Sequence, residues 1–167
     1  MTNKYHATPY DISAAGFYFS TYDEYLDKSA KHRNDYGDPV EEYEIQFIDG
    51  ENCKLFEALS VNQANLKQWF DDFEDLGGDD LIKATYLAND VGYSIDDILD
   101  RLDDIILFEG TALEYSESYI EDTGLLNEIP ENLRYYFDTE SFARDLVLGG
   151  DICETEINGT NYIIQSF

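Results

Sequence analysis

Positive charge is what this sequence has least of. Lys and Arg number 10 in 167 residues against 37 Asp and Glu, a formal net charge of -27. With no basic cluster anywhere, direct binding of nucleic acid is excluded as a function class. Histidine is nearly absent as well: His6 and His32 are the only two, and neither stands in an HExxH or triad-like context. There is no GxGxxG or GxxxxGK[ST] loop to anchor nucleotide chemistry, so no enzymatic activity, cofactor or resident metal is expected. Cys53 and Cys153 form no CxxC pair and lie far apart, which suits small buried thiols of a reducing compartment and excludes a disulfide framework. Three prolines argue against long flexible linkers. The longest apolar runs, such as Ile105 to Phe108, are too short to span a bilayer, and the start MTNKYHATPY lacks the apolar core of a signal peptide. A cytoplasmic protein without membrane contact is the expectation.

What is present is enough apolar material to fold. Hydrophobic residues make up 43% and aromatics 15%, including 14 Tyr and 10 Phe, so the chain is no disordered acidic tail. Self-repulsion on this scale opposes compaction, so the charge needs a reason: a basic partner, a cation-rich milieu or electrostatic steering. An acidic structural protein of a halophile is one such reason, but the bulky aromatics exceed what a merely solvated surface requires. The acidity is also continuous. Residues 1–60 carry a net -7, residues 61–108 a net -9 and residues 109–167 a net -11.

These same cuts divide the chain into three small lobes of an α+β protein. In 1–60, Ala14 to Ser20 and Glu41 to Asp49 have the composition of strands, with Tyr43, Ile45 and Phe47 alternating against Glu42, Glu44 and Gln46. Thr21 caps a short helix between them, containing Tyr22 to Lys31. The stretch 61–108 reads as helical: Ser60 or Asn62 caps a helix through Leu76, Asp79 caps the next, and Ser94 opens a third with Asp97 three residues on. In 109–167, Thr111 pairs with Glu114 in a capping box for a helix that stops at Gly124. Pro130 starts a short helix, Thr139 caps another ended by Gly149-Gly150, and Asn158-Gly159 turns a β-hairpin.

The stretch Ser94 to Leu107, SIDDILDRLDDIIL, is the most informative. At about 100° per residue, Asp96, Asp97, Asp100, Asp103 and Asp104 fall on one helix face and the Ile and Leu residues on the other. As an α-helix it would spread five charges over roughly 12 Å, about 2.4 Å per charge. B-DNA carries one charge per about 1.7 Å of duplex and about 3.4 Å of single strand, so this spacing lies between the two. Asp71, Asp72 and Asp75 form a second acidic face opposite Leu66, Trp69, Phe70 and Phe73, and Glu114, Glu117 and Glu121, with Asp122 beside them, form a third. A solvated face would intersperse Lys for i,i+4 support. Arg101 is the only base within these faces, and the missing counter-charge, recurring on three faces, favours an imitation of the phosphate backbone over a merely solvated surface. No calcium-loop spacing occurs among them, and among 37 acids any glycosidase-like carboxylate pair would arise by chance.

Residues 123–148, TGLLNEIPENLRYYFDTESFARDLVL, resemble the antirestriction signature of the ArdA family. Its elements stand as Thr123 to Leu126, Pro130-Glu131, Tyr136 to Asp138, Phe142 and Ala143 to Leu146, and weaker similarity covers Gly16 to Phe19 and Glu41 to Asp49. The resemblance implies an elongated, three-lobed homodimer that mimics DNA and occupies the DNA-binding cleft of the methyltransferase core of type I restriction-modification enzymes. It also associates the signature with the dimer contact, which would involve Leu125, Leu126, Tyr135, Tyr136 and Phe142. The same residues suit the core of the last lobe equally well. Charge alone leaves other targets open, a CRISPR effector or a nucleoid protein among them.

Overall fold

In the computed structural model, residues 2–166 are described, and the chain divides into two compact units, 1–98 and 99–167. The α+β class is as expected, with helices and two three-stranded antiparallel sheets. The two units share the acidity almost evenly. The first has 21 acids and 7 bases, net -14, and the second has 16 acids and 3 bases, net -13.

The first unit is organised around a strand that the composition concealed. β1 (Lys4–Pro9) lies between β2 (Phe17–Phe19) and β3 (Tyr43–Asp49). Its period-two pattern turns Tyr5 and Ala7 completely inward, while Lys4 and His6 face away. Tyr5 pairs with Phe19 on one side and Phe47 on the other, and the rings of Phe19, Phe47, Phe56 and Phe70 surround it with centroids 5.2–5.7 Å away. Gly16 lets the chain pass close to β1, since a Cβ there would stand 2.4 Å from the His6 ring.

β3 alternates as read, with Tyr43 and Ile45 buried and Glu44 and Gln46 exposed. α1 (Tyr22–Lys31) begins at Thr21, whose hydroxyl accepts from the Glu24 amide at 3.2 Å.

The helices that follow belong to this same unit. α2 (Cys53–Ala58) went unread, its cap Asn52 making no capping hydrogen bond. Ser60 is no helix cap: it sits at φ +51, and the helix starts only at Leu66. α3 (Leu66–Gln68) continues through a π-helical turn, Trp69–Phe73, and α4 (Gly78–Tyr86) through another, Leu87–Val91. Gly77 occupies the N-cap of α4, so Asp79 lies in the first turn instead of capping it. Residues 61–98 therefore pack with 1–60 and not apart from them. The Trp69 indole donates to the Tyr5 hydroxyl at 2.8 Å, and the Asn52 side-chain amide donates to the carbonyls of Glu74 and Leu76 at 3.2 and 3.1 Å.

In the second unit, β6 (Thr160–Ser166) lies between β4 (Ile105–Glu109) and β5 (Cys153–Ile157). Asn158 and Gly159 turn the β5–β6 hairpin at φ +54 and +80, the positive values that a type I′ turn requires. α5 (Ala112–Thr123) carries the full Thr111–Glu114 capping box and ends at Gly124 in the left-handed conformation. A short α6 (Glu131–Arg134) follows with Pro130 at its N-cap. α7 (Thr139–Gly149) is capped one residue earlier than expected, by Asp138, whose carboxylate accepts from the Ser141 amide at 3.0 Å. Ala112, Ala143, Ile152 and Ile163 form the core, with Phe108, Tyr115, Leu146 and Val147 packed against it.

Cys53 and Cys153 are both free thiols, as expected, but Cys53 is half-buried and Cys153 exposed, so neither is the buried residue anticipated.

The Tyr5–Trp69 hydrogen bond ties β1 to the π-helical turn that continues α3, inside an otherwise apolar lattice. Replacing Tyr5 with Phe strands the indole N–H, and we expect a loss of about 1–3 kcal/mol of unfolding free energy. Urea denaturation followed by the fluorescence of Trp69, the only tryptophan, reads this directly. The Tyr5→Phe/Trp69→Phe pair, followed by circular dichroism, should lose less than the sum of its single changes.

Candidate functional site

The candidate site is the acidic surface, and its main property is exposure. Every Asp and Glu except Asp11, Glu24 and Glu74 is exposed to solvent. Asp71, Asp72 and Asp75 lie outward while Leu66, Trp69 and Phe73 are buried beneath them, as their face predicts. Glu114, Glu117, Glu121 and Asp122 line the outer side of α5 above buried Ala112, Ser116 and Ile120. Apart from Asp75, which sits in the turn after Phe73, these side chains stand on helical segments with packed undersides, which sets their backbone positions.

The third acidic face is different from the one the periodicity implied. Residues 94–107 do not form an α-helix. Residues 95–97 form a turn, Leu99–Asp104 a 3₁₀-helix, and Ile105 begins β4. Three physical terms oppose the α-helix. Asp96, Asp100 and Asp104 would repel one another at i,i+4 spacing. The β-branched Ile105 and Ile106 gain a full set of ladder partners on β6, from Ile105 opposite Ser166 to Glu109 opposite Tyr162. Ser94 donates its hydroxyl to the Asp97 carboxylate at 2.7 Å, and this pairing closes a turn in place of a capping box.

Consequently Asp96, Asp97, Asp100, Asp103 and Asp104 are all exposed but share no α-helical face, and the 2.4 Å charge spacing does not apply to them. The 3₁₀ period of three aligns Asp100 with Asp103 in the second unit. In the first unit, Asp96 accepts from the Gln68 side chain at 3.0 Å, which places it beside the segment that carries Asp71, Asp72 and Asp75.

Counter-charge is present at a few places. Lys67 reaches Asp71 one turn later, so that face is less bare than its sequence suggested. Lys28 pairs with Glu24 at 2.5 Å, and Arg144 approaches Asp145 at 3.8 Å. Other carboxylates have structural duties. Hydrogen bonds hold Glu24, Glu114 and Asp138 below the usual carboxylate range: from the Lys28 side chain and the Ser20 amide to Glu24, from the Thr111 amide and hydroxyl to Glu114, and from the Ser141 amide and hydroxyl to Asp138. Glu154 likewise fills the start of α5, accepting from the Ala112 amide at 3.1 Å.

Both histidines are held structurally. The Tyr43 hydroxyl donates to the Val40 carbonyl at 2.8 Å, which leaves it to accept from Nδ1 of His32 at 2.9 Å, while His6 bonds the Thr8 hydroxyl at 2.8 Å. Among the described residues, no group of three or more His, Cys, Asp or Glu is placed to hold a metal ion, and no buried side-chain polar atom lacks a partner. No helix among them is long and apolar enough to cross a membrane.

The signature residues divide between two roles. Gly124 and Asp138 are helix caps and Ala143 is core. Leu125 and Leu126 are half-buried in a 3₁₀ turn, and Phe142 packs against Phe137 and Tyr119 at 5.6 and 6.1 Å. Tyr135 and Tyr136, in contrast, are 91% and 78% exposed. The candidate interface list therefore contains two solvent-facing tyrosines and three residues that already serve the fold.

A field of exposed carboxylates on an α+β scaffold is a surface chemically suited to basic partners. The family model described as Antirestriction protein (ArdA) matches residues 8–160. The chain belongs to the ArdA family and is an antirestriction protein, which directs it at restriction-modification enzymes. No individual curated protein matches it.

One carboxyl departs from the exposed pattern. Glu74 is half-buried, its side chain accepts from the Asn3 amide at 3.2 Å, and its neighbour is Asp75. Burial, then the Asp75 carboxyl, raises its pKa above the usual value. The folded state thus holds this proton more tightly than the unfolded chain does. The stabilisation is present at low pH and is lost as pH rises through the folded-state value. Glu74→Gln keeps the acceptor and removes the charge. It should raise the urea midpoint at neutral pH, with the advantage shrinking toward zero below about pH 4. An advantage independent of pH would place the effect in packing instead.

Proposed function

We propose that this protein is a DNA mimic that blocks type I restriction-modification enzymes by occupying the DNA-binding cleft of their methyltransferase core. The observation that carries the reading is the near-complete exposure of the carboxylates, 37 in number against 10 bases, on backbone fixed by buried aromatics and helix caps. A cleft that tracks phosphates presents Lys and Arg along its length, and a fixed anionic surface competes for them without any chemistry. Such a surface also draws the basic cleft in by steering, so association is fast and falls with ionic strength. Its members are Asp71, Asp72, Asp75, Asp96, Asp97, Asp100, Asp103, Asp104, Glu114, Glu117, Glu121 and Asp122. None acts as a hot spot, because exposed charges contribute little singly and add over many contacts.

We further assign homodimer formation to the exposed Tyr135 and Tyr136, with Leu125, Leu126 and Phe142 supporting them from the half-buried side. Two large aromatics facing water on neighbouring positions are the composition of an interface centre.

Two experiments test these assignments. With a type I enzyme and labelled cognate DNA, neutralising Asp96, Asp100, Asp103 and Asp104 together to Asn should weaken competition by about tenfold or more at low salt, and much less at high salt. Single changes should do little. Unchanged inhibition by the fourfold variant would remove this segment from the mimic surface. Separately, Tyr135→Ser/Tyr136→Ser should lower the sedimenting mass from two chains toward one at micromolar concentration, with the fold intact by circular dichroism. An unchanged mass would return these tyrosines to the ordinary surface.

A further inference from the structure

At one end of the first unit, two loops are stapled together and push apolar side chains into solvent. The first connects β1 to β2 and the second connects α1 to β3. The Asp11 carboxylate accepts from the Ser13 amide and hydroxyl at 2.9 and 2.6 Å and from the Asn34 side chain at 2.9 Å. The Asn34 carbonyl oxygen on its side chain accepts in turn from the amides of Tyr36 and Asp38 at 3.0 and 2.9 Å. A backbone bond from the Asp35 amide to the Ser13 carbonyl, 2.9 Å, joins the loops directly.

The Asp11, Ser13 and Asn34 side chains are thus turned inward, and three large side chains are turned out. Ile12 is fully exposed, Tyr36 is 83% exposed and Tyr10 is 67% exposed. Ordinary surface turns do the reverse, placing polar side chains in water. A preorganised loop pair that presents aliphatic and aromatic groups has the makeup of a binding anchor, since its ordering entropy is already spent on folding.

We propose that Tyr10, Ile12 and Tyr36 form an apolar docking tip for a basic DNA-binding protein, seated where that protein's cleft meets bases while the adjoining carboxylates meet its phosphate-binding cations. The proposal rests on the DNA-mimic reading and deepens it. Charge complementarity selects the occupant. Asp35, Asp38, Glu41 and Glu42 stand exposed in the α1–β3 connection that carries Tyr36, with Arg33 its one Lys or Arg, and a second copy of the chain would bring its own net charge of -27 to the contact. A DNA-binding cleft supplies both halves of the match, because its cations are interleaved with apolar groups that contact thymine methyls and base faces.

The test uses the full chain, a type I restriction enzyme and labelled cognate DNA, at about 0.1 M and about 0.4 M salt. Three proteins are compared: the wild type, Tyr10→Ser/Ile12→Ser/Tyr36→Ser, and the fourfold Asn variant above, with Trp69 fluorescence reporting an intact first unit. The triple variant should compete about tenfold less well or worse at both salt concentrations, because lost apolar contact is not screened. The fourfold variant should lose mainly at low salt.

Ile12→Ser alone, at a side chain with no neighbours to disturb, should lose about threefold and stands in if the triple change unfolds the loops. Wild-type competition together with undiminished competition by the triple variant, or by Ile12→Ser in its place, overturns the tip and leaves the mimic reading intact. Failure of the wild type itself to compete with DNA overturns both. A smaller sedimenting mass for the triple variant would make a second copy the occupant, and the proposal would be wrong.

Discussion

Everything in this protein depends on burying enough aromatic surface to hold together a chain that repels itself. Two exposed carboxylates about 4 Å apart in water interact by about 1 kcal/mol, and beyond about 10 Å salt screens most of what remains. A fully buried large apolar side chain contributes about 1.5–3 kcal/mol. The lattice around Tyr5, with Phe19, Phe47, Phe56, Phe70 and Trp69 in ring contact or hydrogen bonded to it, therefore outweighs many such repulsions. Aromatics serve better here than an aliphatic core of equal count, since each buries more area. The Tyr5 and Tyr25 hydroxyls are pushed well above the ordinary tyrosine value by burial, Tyr25 to about 12, so both stay neutral within the core.

Placement of the carboxylates reduces the repulsion further. Asp23 and Glu24 in α1, Asp79 and Asp80 in α4, Glu114 in α5 and Glu140 in α7 stand in first turns, where the positive end of the helix dipole favours them. Glu114 and Asp138 go further and accept backbone hydrogen bonds. An acidic chain can thus make some of its anions part of the scaffold and leave the rest free to face a partner. Those roles differ in consequence: neutralising Asp138 weakens the fold, neutralising Glu114 changes cap and field together, and neutralising Asp100 or Glu117 changes only the field.

What could be read from sequence follows the same physics. The Thr111–Glu114 capping box, the Asn158-Gly159 turn and the alternation along β3 are local, and each is found where its residues require it. β1 escaped because Tyr5 and Ala7 are its only core-facing pair between Lys4 and Thr8, too short a pattern to register. The 94–107 stretch misled for the opposite reason. Its period of 3.6 was strong, yet the winning interaction was a strand pairing with residues some sixty positions away. The compact unit 1–98 likewise spans position 60 through a distant contact, since the hydrogen bond from Trp69 to Tyr5 joins residues that no local pattern connects. Of the acidic surface, membership was legible and geometry was not. Exposure follows from chemistry alone, but spacing depends on which element the backbone adopts.

That distinction bears on how close an imitation of DNA a protein needs to be. A regular helical ladder at phosphate spacing is absent from 94–107, yet every aspartate there is exposed. Cationic side chains in a DNA cleft are themselves long and flexible, so Lys and Arg can reach carboxylates displaced by a few ångströms from where phosphates would stand. Sequence-independent affinity depends on the number of charges neutralised and not on their exact register. Register matters for contacts with base edges, where geometry carries the information. For the mimicry proposed above, the looser arrangement of carboxylates meets the electrostatic requirement, and a close geometric match would have to come from shape-specific elements such as the hydrogen-bonded loops that carry Tyr10, Ile12 and Tyr36.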